Sequence, residues 1–319
     1  MIIRSVFFFL SLIFLCLFSL VPVNSTNTSK SADGAGWSSI KVALVQYPVV
    51  GGLTLEELTR KVYKYVEASS TDEADLVVFP ELFSLDLLDW SIPETEQFED
   101  IIAQIFPDFI AALEKMADSF ELYILAGSVP AMVNGKIRNR SYLIGPGHQS
   151  VFQEKMFLTP DEVEWGWEAS NVASVINTPW GKTAITICYD SEIPLVSQTL
   201  SQDDIDVLLI PSMTGDSGFT RVRWSVQARS VEHLSYALVT GCIGDPAPGW
   251  GMRGQGAVLG PSLDGYSTPP LIAEGTLNKD EIVYATLDLD ELRRAKISGD
   301  YYPAQNERNR TLTVQYLQL

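Results

Sequence analysis

The sequence predicts an α/β fold in a single domain. Short β-branched runs alternate with helical patterns over residues 40–296, as expected for strands covered by helices. After a leader-like start and a linker, about 280 of the 319 residues remain for folding, enough for one large core. Hydrophobic residues make up 46% and charged residues 19%, a balance that suits a packed core and not global disorder.

The elements follow in order. Arg4 precedes an uncharged apolar stretch over residues 6–23, and Val23-Asn24-Ser25 offers a small-residue cleavage site. This reads as a secretory signal, so a secreted or periplasmic location is expected. The apolar run is also long enough for an uncleaved membrane anchor, the alternative reading. The Ser/Thr/Asn/Gly-rich stretch that follows is a linker. The expected boundaries are 1–25 for the signal or anchor, 26–37 for the linker, 38–300 for the folded domain and 301–319 for a C-terminal extension.

Within the domain, residues 40–46 read as a strand. Thr54 caps a helix over 55–68, with Glu57 completing a capping box. Residues 75–79 form a buried strand, and 98–119 are helical with an interruption at Pro107. Residues 122–127 are a strand, and 138–144 pairs with 150–155 across Gly145-Pro146-Gly147. Strands 173–176 and 183–188 flank Pro179-Trp180-Gly181. A helix over 194–200, a strand over 207–211, a long helix over 219–235 and a strand over 236–243 come next. Residues 256–259 and 282–288 are further strands, 289–296 a short helix, and 312–317 a strand-like tail.

The formal net charge of −18, without any long Lys/Arg run, excludes a phosphate-binding surface, so no nucleic-acid partner is expected. Cys16 lies in the leader, which leaves Cys188 and Cys242 in the body and no disulfide framework. His148 and His233 stand apart and no CxxC occurs, so no metal site is expected. Asn-x-Ser/Thr triplets start at Asn24, Asn27, Asn139 and Asn309. The third lies in a segment expected to run close to the functional site, where a glycan would be awkward.

Three strand ends carry chemistry. The run Thr-Ala-Ile-Thr-Ile-Cys188 lifts a thiol to the carboxyl edge of a sheet, where open α/β folds place their sites. Phe79-Pro80-Glu81 ends a strand in a carboxylate, and Gln153-Glu154-Lys155 ends another in an ammonium. Together these are a candidate nucleophile, base and electrostatic stabiliser. Taken alone each has a plainer reading: a packed thiol, a solvated turn acid and a surface lysine. Their joint order carries the sharper one. Trp165 and Trp167 read first as packing and second as pocket lining; loops near Trp90, Trp165 and Trp250 are candidate pocket walls.

Phe-Pro-Glu81, Gln-Glu-Lys155-Met-Phe-Leu-Thr-Pro and Ile-Cys188-Tyr-Asp-Ser-Glu-Ile-Pro resemble the motifs of the nitrilase superfamily of carbon–nitrogen hydrolases, in the same order. Residues 221–232 resemble that family's helix after the next strand. The likeness spans residues 40–296 and is nearest to amidase-like members, some of which carry a fused acetyltransferase domain; none is expected in this sequence. The resemblance implies an α-β-β-α sandwich, assembly into a homodimer or larger homo-oligomer through helices near the site, and neither metal nor organic cofactor. It implies that Cys188 attacks, Glu81 moves the proton, and Lys155 with the Tyr189 backbone N–H stabilises the oxyanion. It also implies a second glutamate after the lysine: Glu162 is the choice and Glu164 the competitor. The partner is then a small-molecule amide, with membrane association only through the N-terminal segment. Alternatives are a nitrile substrate, against which Tyr189-Asp190 speaks because true nitrilases tend to have Trp-Glu there, and a non-catalytic secreted interaction protein. A Cys–His protease is weaker, since neither histidine has a recognisable protease context.

Overall fold

Strand β1 (Ser39–Pro48) is the pivot of the architecture. A computed structural model of the chain describes residues 36–147, 149–263 and 266–298, with 301, 303 and 315. The expected leader, nearly all of the linker, His148 and all of the strand-like tail but residue 315 lie outside these residues. Among the described residues no helix is long and apolar enough to cross a membrane.

From β1 the chain passes through α1 (Leu55–Thr71) to β2 (Leu76–Val78). The Thr54–Glu57 capping box is present at the start of α1, as the sequence predicts. The next helical stretch divides into α2 (Phe98–Gln104) and α3 (Ile110–Phe120) around a π-type turn at Ile105–Phe109, which contains the predicted proline interruption. Then come β3 (Tyr123–Leu125), β4 (Val129–Val133), β5 (Lys136–Gly145), β6 (Gln149–Glu154) and the short α4 (Pro160–Glu164). The second half runs β7 (Val175–Thr178), β8 (Gly181–Ile185), α5 (Pro194–Leu200), β9 (Val207–Ser212), α6 (Asp216–His233) and β10 (Tyr236–Ile243). It closes with β11 (Ala257–Leu259), β12 (Leu271–Glu274), β13 (Glu281–Asp288) and α7 (Leu289–Ser298).

The strand order is β4-β5-β3-β2-β1-β10-β9-β8-β7. β1 meets β10 only at Tyr47↔Cys242 and Pro48↔Ile243, so two half-sheets are joined at one corner and fold face to face. Alternation along β1 sorts its side chains between layers. Val42 and Leu44 face inward with Leu76, Val78 and Leu287 of the neighbouring β13 and share a core with Leu209 of the second half-sheet. Ala43 and Val45 face outward with Leu58 and Val62 of α1 and Leu113 of α3. Val222 and Val226 of α6 cover the second half-sheet. The layers are α-β-β-α, the sandwich that the resemblance implies.

Three elements were not expected from sequence. β4 contains Pro130, which argues against a strand; it survives because β4 lies at the sheet edge, where the missing N–H breaks no ladder on its open side. β12 has four residues and no clear alternation. α4 spans barely one turn. The helix expected from residue 219 begins earlier, at Asp216, with Gly215 as a cap lacking a side-chain hydrogen bond.

Candidate active site

β2 delivers Glu81 to the carboxyl edge of the sheet. The turn is tight: Leu82 takes a positive φ of 49°, and Gly127 passes so close that an added Cβ would lie 1.8 Å from the Pro80 carbonyl oxygen. Only glycine accommodates that approach together with its own positive φ of 47°. Lys155 follows β6 and is tied to β5 by its N–H, which donates to the Asn139 carbonyl at 2.8 Å. Glu162 is the third residue of the turn capped by Thr159. Its carboxylate accepts the Thr159 N–H at 2.9 Å, so the capping box that starts α4 also aims this acid. The competitor Glu164 lies exposed at the end of α4 and away from the cluster.

Cys188 ends the segment after β8 and begins a 3₁₀ turn, Cys188–Glu192, with φ at +47°. Left-handed backbone is disfavoured for any residue with a Cβ and persists only where surroundings hold it. Asp190 supplies part of that hold. Its buried carboxylate accepts the N–H groups of Met156 at 3.0 Å, Phe157 at 2.8 Å and Ile187 at 3.2 Å. One side chain thus clamps the segment after Lys155 to the residue before Cys188.

The predicted residues converge. Lys155 Nζ donates to Glu81 Oε1 and to Glu162 Oε2, both at 2.7 Å. Asn139 Nδ2 donates to Glu81 Oε1 at 2.9 Å and to Glu162 Oε1 at 2.8 Å. The other Glu81 oxygen accepts the Met213 N–H at 2.9 Å, and the Met213 carbonyl lies 3.9 Å from Cys188 Sγ. Met213 thus bridges the two groups, its N–H on the Glu81 carboxylate and its carbonyl on the thiol. Lys155, Glu81 and Glu162 are 1%, 2% and 2% exposed, so a charged cluster sits in nearly dry surroundings. Buried charges persist only when paired, and here one ammonium serves two carboxylates.

Burial pushes the Glu81 carboxyl up, Lys155 pulls it down, and Glu162 pushes it up again. Burial disfavours the Lys155 ammonium, yet Glu81 and Glu162 override that and hold its pKa well above the usual lysine range. Burial and then Glu81 push the Cys188 thiol up, against the pull of Lys155. At rest the proton therefore sits on sulfur, beside a carboxylate able to receive it. The Tyr189 N–H lies in the first turn of the 3₁₀ segment, where a backbone N–H has no partner inside the helix.

Two residues of the site escaped sequence reasoning. Asn139 appeared only as a glycosylation triplet; it is fully buried between the two glutamates, which closes that triplet to a glycan in the folded chain. Asp190 appeared only as the residue after Tyr189. Cys242 is buried and free, as is Cys188, with its thiol on the Glu81 carbonyl oxygen at 3.3 Å. His233 bonds Ser197, not Cys188. The three candidate pocket loops meet: Trp165 and Trp250 stack at 5.9 Å, and Trp90 contacts Trp250 at 4.8 Å. Trp167 is buried against Trp165 and Phe98. Met213, whose carbonyl faces the thiol, packs on the same outer core as Trp90, Trp165 and Trp250.

A sequence model of the family described as carbon-nitrogen hydrolase matches residues 41–297. The probable hydrolase YhcX of Bacillus subtilis is 28% identical over 283 residues, 87% of this chain; the chain spans 55% of that relative's length. The omega-amidase NIT2 of Bos taurus is 26% identical over 269 residues, 80% of this chain and 91% of that protein. Among solved structures, Saccharomyces cerevisiae Nit3, a member of branch 10 of the nitrilase superfamily, superposes with a TM-score of 0.70 at 21% identity, over 84% of this chain and 97% of that one. The family match spans both half-sheets and every residue of the charged cluster, so the chain belongs to the carbon–nitrogen hydrolase family.

Proposed function

We propose that the chain hydrolyses the carbon–nitrogen bond of a small carboxamide through a thioester on Cys188. The observation that carries this reading is that the buried Cys188 thiol and the Glu81 carboxylate meet at the Met213 peptide groups, while Lys155 and Asn139 hold that carboxylate in place. The amidase among the named relatives supports the same bond type.

In this reading Cys188 Sγ attacks the carbonyl carbon as its proton passes to Glu81. The S–C bond forms and the carbonyl π pair moves to oxygen, where the Lys155 ammonium and the Tyr189 N–H receive the charge. Glu81 then protonates the nitrogen, the C–N bond breaks, and ammonia or an amine leaves. Water attacks the thioester and gives a proton to Glu81; the S–C bond breaks and the thiolate takes that proton back. Glu162 moves no proton here. It shares the Lys155 charge and fixes its position.

The test is release of ammonia or amine from a panel of small amides and nitriles by the parent protein and by Cys188→Ala. Amide turnover in the parent and none in the folded variant is expected. Equal turnover in the two would refute the reading, and turnover confined to nitriles would move the substrate class.

We also propose that residues 1–25 direct export. N-terminal sequencing of the exported fraction checks this, and a soluble cytoplasmic product retaining Met1 would overturn it. A homodimer through α5 and α6 is proposed because Leu195 and Trp224 there are 59% and 72% exposed, unusual for a leucine and a tryptophan on a face without a partner. Trp224→Glu should lower the mass measured by light scattering, and an unchanged mass would count against that interface.

A further inference from the structure

The turn that carries Cys188 is also held from behind. The Cys188 carbonyl accepts the Ser191 hydroxyl at 2.6 Å, which closes the 3₁₀ turn on itself. The Ser191 carbonyl lies at the end of that short turn, where backbone carbonyls lose their helical partners. It accepts Nε–H of Arg229 from α6 at 3.0 Å. The same guanidinium is fixed at its far side by Glu232, to which Nη1 donates. Glu232 Oε2 in turn accepts the Ser197 hydroxyl of α5 at 2.7 Å, and Ser197 Oγ meets His233 Nε2 at 3.0 Å. A continuous set of hydrogen bonds thus runs from two helices to the strained residue that bears the thiol. Ser191, Ser197 and His233 are buried, whereas the Glu232 side chain is 44% exposed, so water competes least at the Ser191 end of this set.

We propose that Arg229 is a positioning residue for the nucleophile, acting through Ser191 to set where Cys188 Sγ and the Tyr189 N–H stand relative to the scissile carbon. The role rests on the reading of Cys188 as nucleophile. It follows from the conformation of Cys188: at φ +47° the residue relaxes toward ordinary backbone unless the turn after it is held. Asp190 holds the turn toward the Lys155 side, and Arg229 holds its opposite end. The planar fork suits the task, because Nε reaches a carbonyl while Nη1 reaches a carboxylate. A lysine point charge satisfies one of these and not both. Arg229 touches neither Glu81 nor Lys155 in this arrangement, so its influence is on geometry and not on the charge of the cluster.

The experiment compares the parent with Arg229→Lys, Arg229→Ala and Glu232→Gln, using the best amide from the substrate panel. Arg293→Ala is the control, since Arg293 also donates to backbone carbonyls, of Trp37 and Trp180, but far from the turn. Arg229→Ala is expected to lower kcat about 100-fold with KM nearly unchanged, the effect of a misplaced reacting atom. Arg229→Lys should lose about tenfold, and Glu232→Gln, which keeps an acceptor for Nη1, less than either. Alkylation of Cys188 by iodoacetamide should slow in the same order, while Arg293→Ala leaves kcat at the parent value. If Arg229→Ala fails to fold, Arg229→Lys decides. A folded Arg229 variant with parent kcat, or a loss of kcat matched by Arg293→Ala, would overturn the proposal. Cys188→Ala is run alongside: turnover surviving there defeats the nucleophile reading, whereas a dead Cys188→Ala beside an unaffected Arg229→Lys defeats the positioning role alone.

Discussion

Replacing Asn139 by aspartate changes one heavy atom of the site and reverses its electrostatics. In the parent, both amide hydrogens are used, one on Glu81 and one on Glu162, at 2.9 and 2.8 Å. In Asn139→Asp an ionised side chain would stand between two carboxylates. At about 4 Å and the effective dielectric near 20 that suits protein sites, each repulsion costs about 4 kcal/mol, or about 8 for the pair. The Lys155 ammonium bonds both glutamates and offsets roughly half of this. The remaining ~4 kcal/mol corresponds to about three pKa units, which moves the introduced carboxyl from about 4 to about 7. Protonated, it has one O–H and restores only one of the two bonds. The variant should therefore show reduced kcat/KM at low pH and a further fall on the alkaline side, centred at about pH 7, that the parent lacks. Asn139→Leu, which cannot titrate, should lose activity without that new limb. The assay is kcat/KM against pH for the three proteins, with thermal melting to confirm folding. If Asn139→Asp has the parent's pH profile, Asn139 does not set the charge balance of the cluster and the reasoning fails.

Lys155→Ala should lower kcat at least as much as it weakens binding, by about 10²–10³-fold, because the charge acts on the oxyanion; an unchanged kcat would exclude that role. In the folded parent, iodoacetamide should add a single label, at Cys188, since Cys242 is sealed against the Glu81 carbonyl; intact-mass analysis and peptide mapping read this, and equal labelling of Cys242 would contradict it. Burial raises Asp190 to about 7, so the folded chain holds that proton more tightly than the unfolded one, and its contribution to stability is present below about pH 4 and lost as pH rises toward 7. Asp190→Asn should flatten that slope in denaturant melts taken between about pH 4 and 7, and an unaltered slope would count against it. His233 runs the other way: burial lowers it to about 4, Glu232 opposes this, and its contribution is lost as pH falls from about 6.5 to 4, so His233→Gln should melt with a weaker loss on the acid side.

The sequence alone determined the α/β class, the strands ending near Glu81, Lys155 and Cys188, and the capped start of α1. Each rests on a local signal: alternation, a β-branched run, or a capping pair a few residues apart. It also singled out the three reactive side chains, because their chemistry is rare at strand ends and their order matches a family. β4 was hidden by Pro130, since a proline argues against a strand unless the strand is known to lie at an edge. Glu162 stayed in contest with Glu164 because both are acids in one loop; the Thr159 capping box, itself a local signal, would have chosen between them. Asn139, Asp190 and Arg229 could not be read as site residues from the chain. Each acts through a partner far along it: Asn139 on Glu81, Asp190 on Met156 and Phe157, Arg229 on Ser191. Only the folded half-sheets bring those partners within hydrogen-bond distance. The reason is physical: reactivity is written in residue type, whereas the orientation and charge state of a reactive group are set by neighbours that sequence separation conceals.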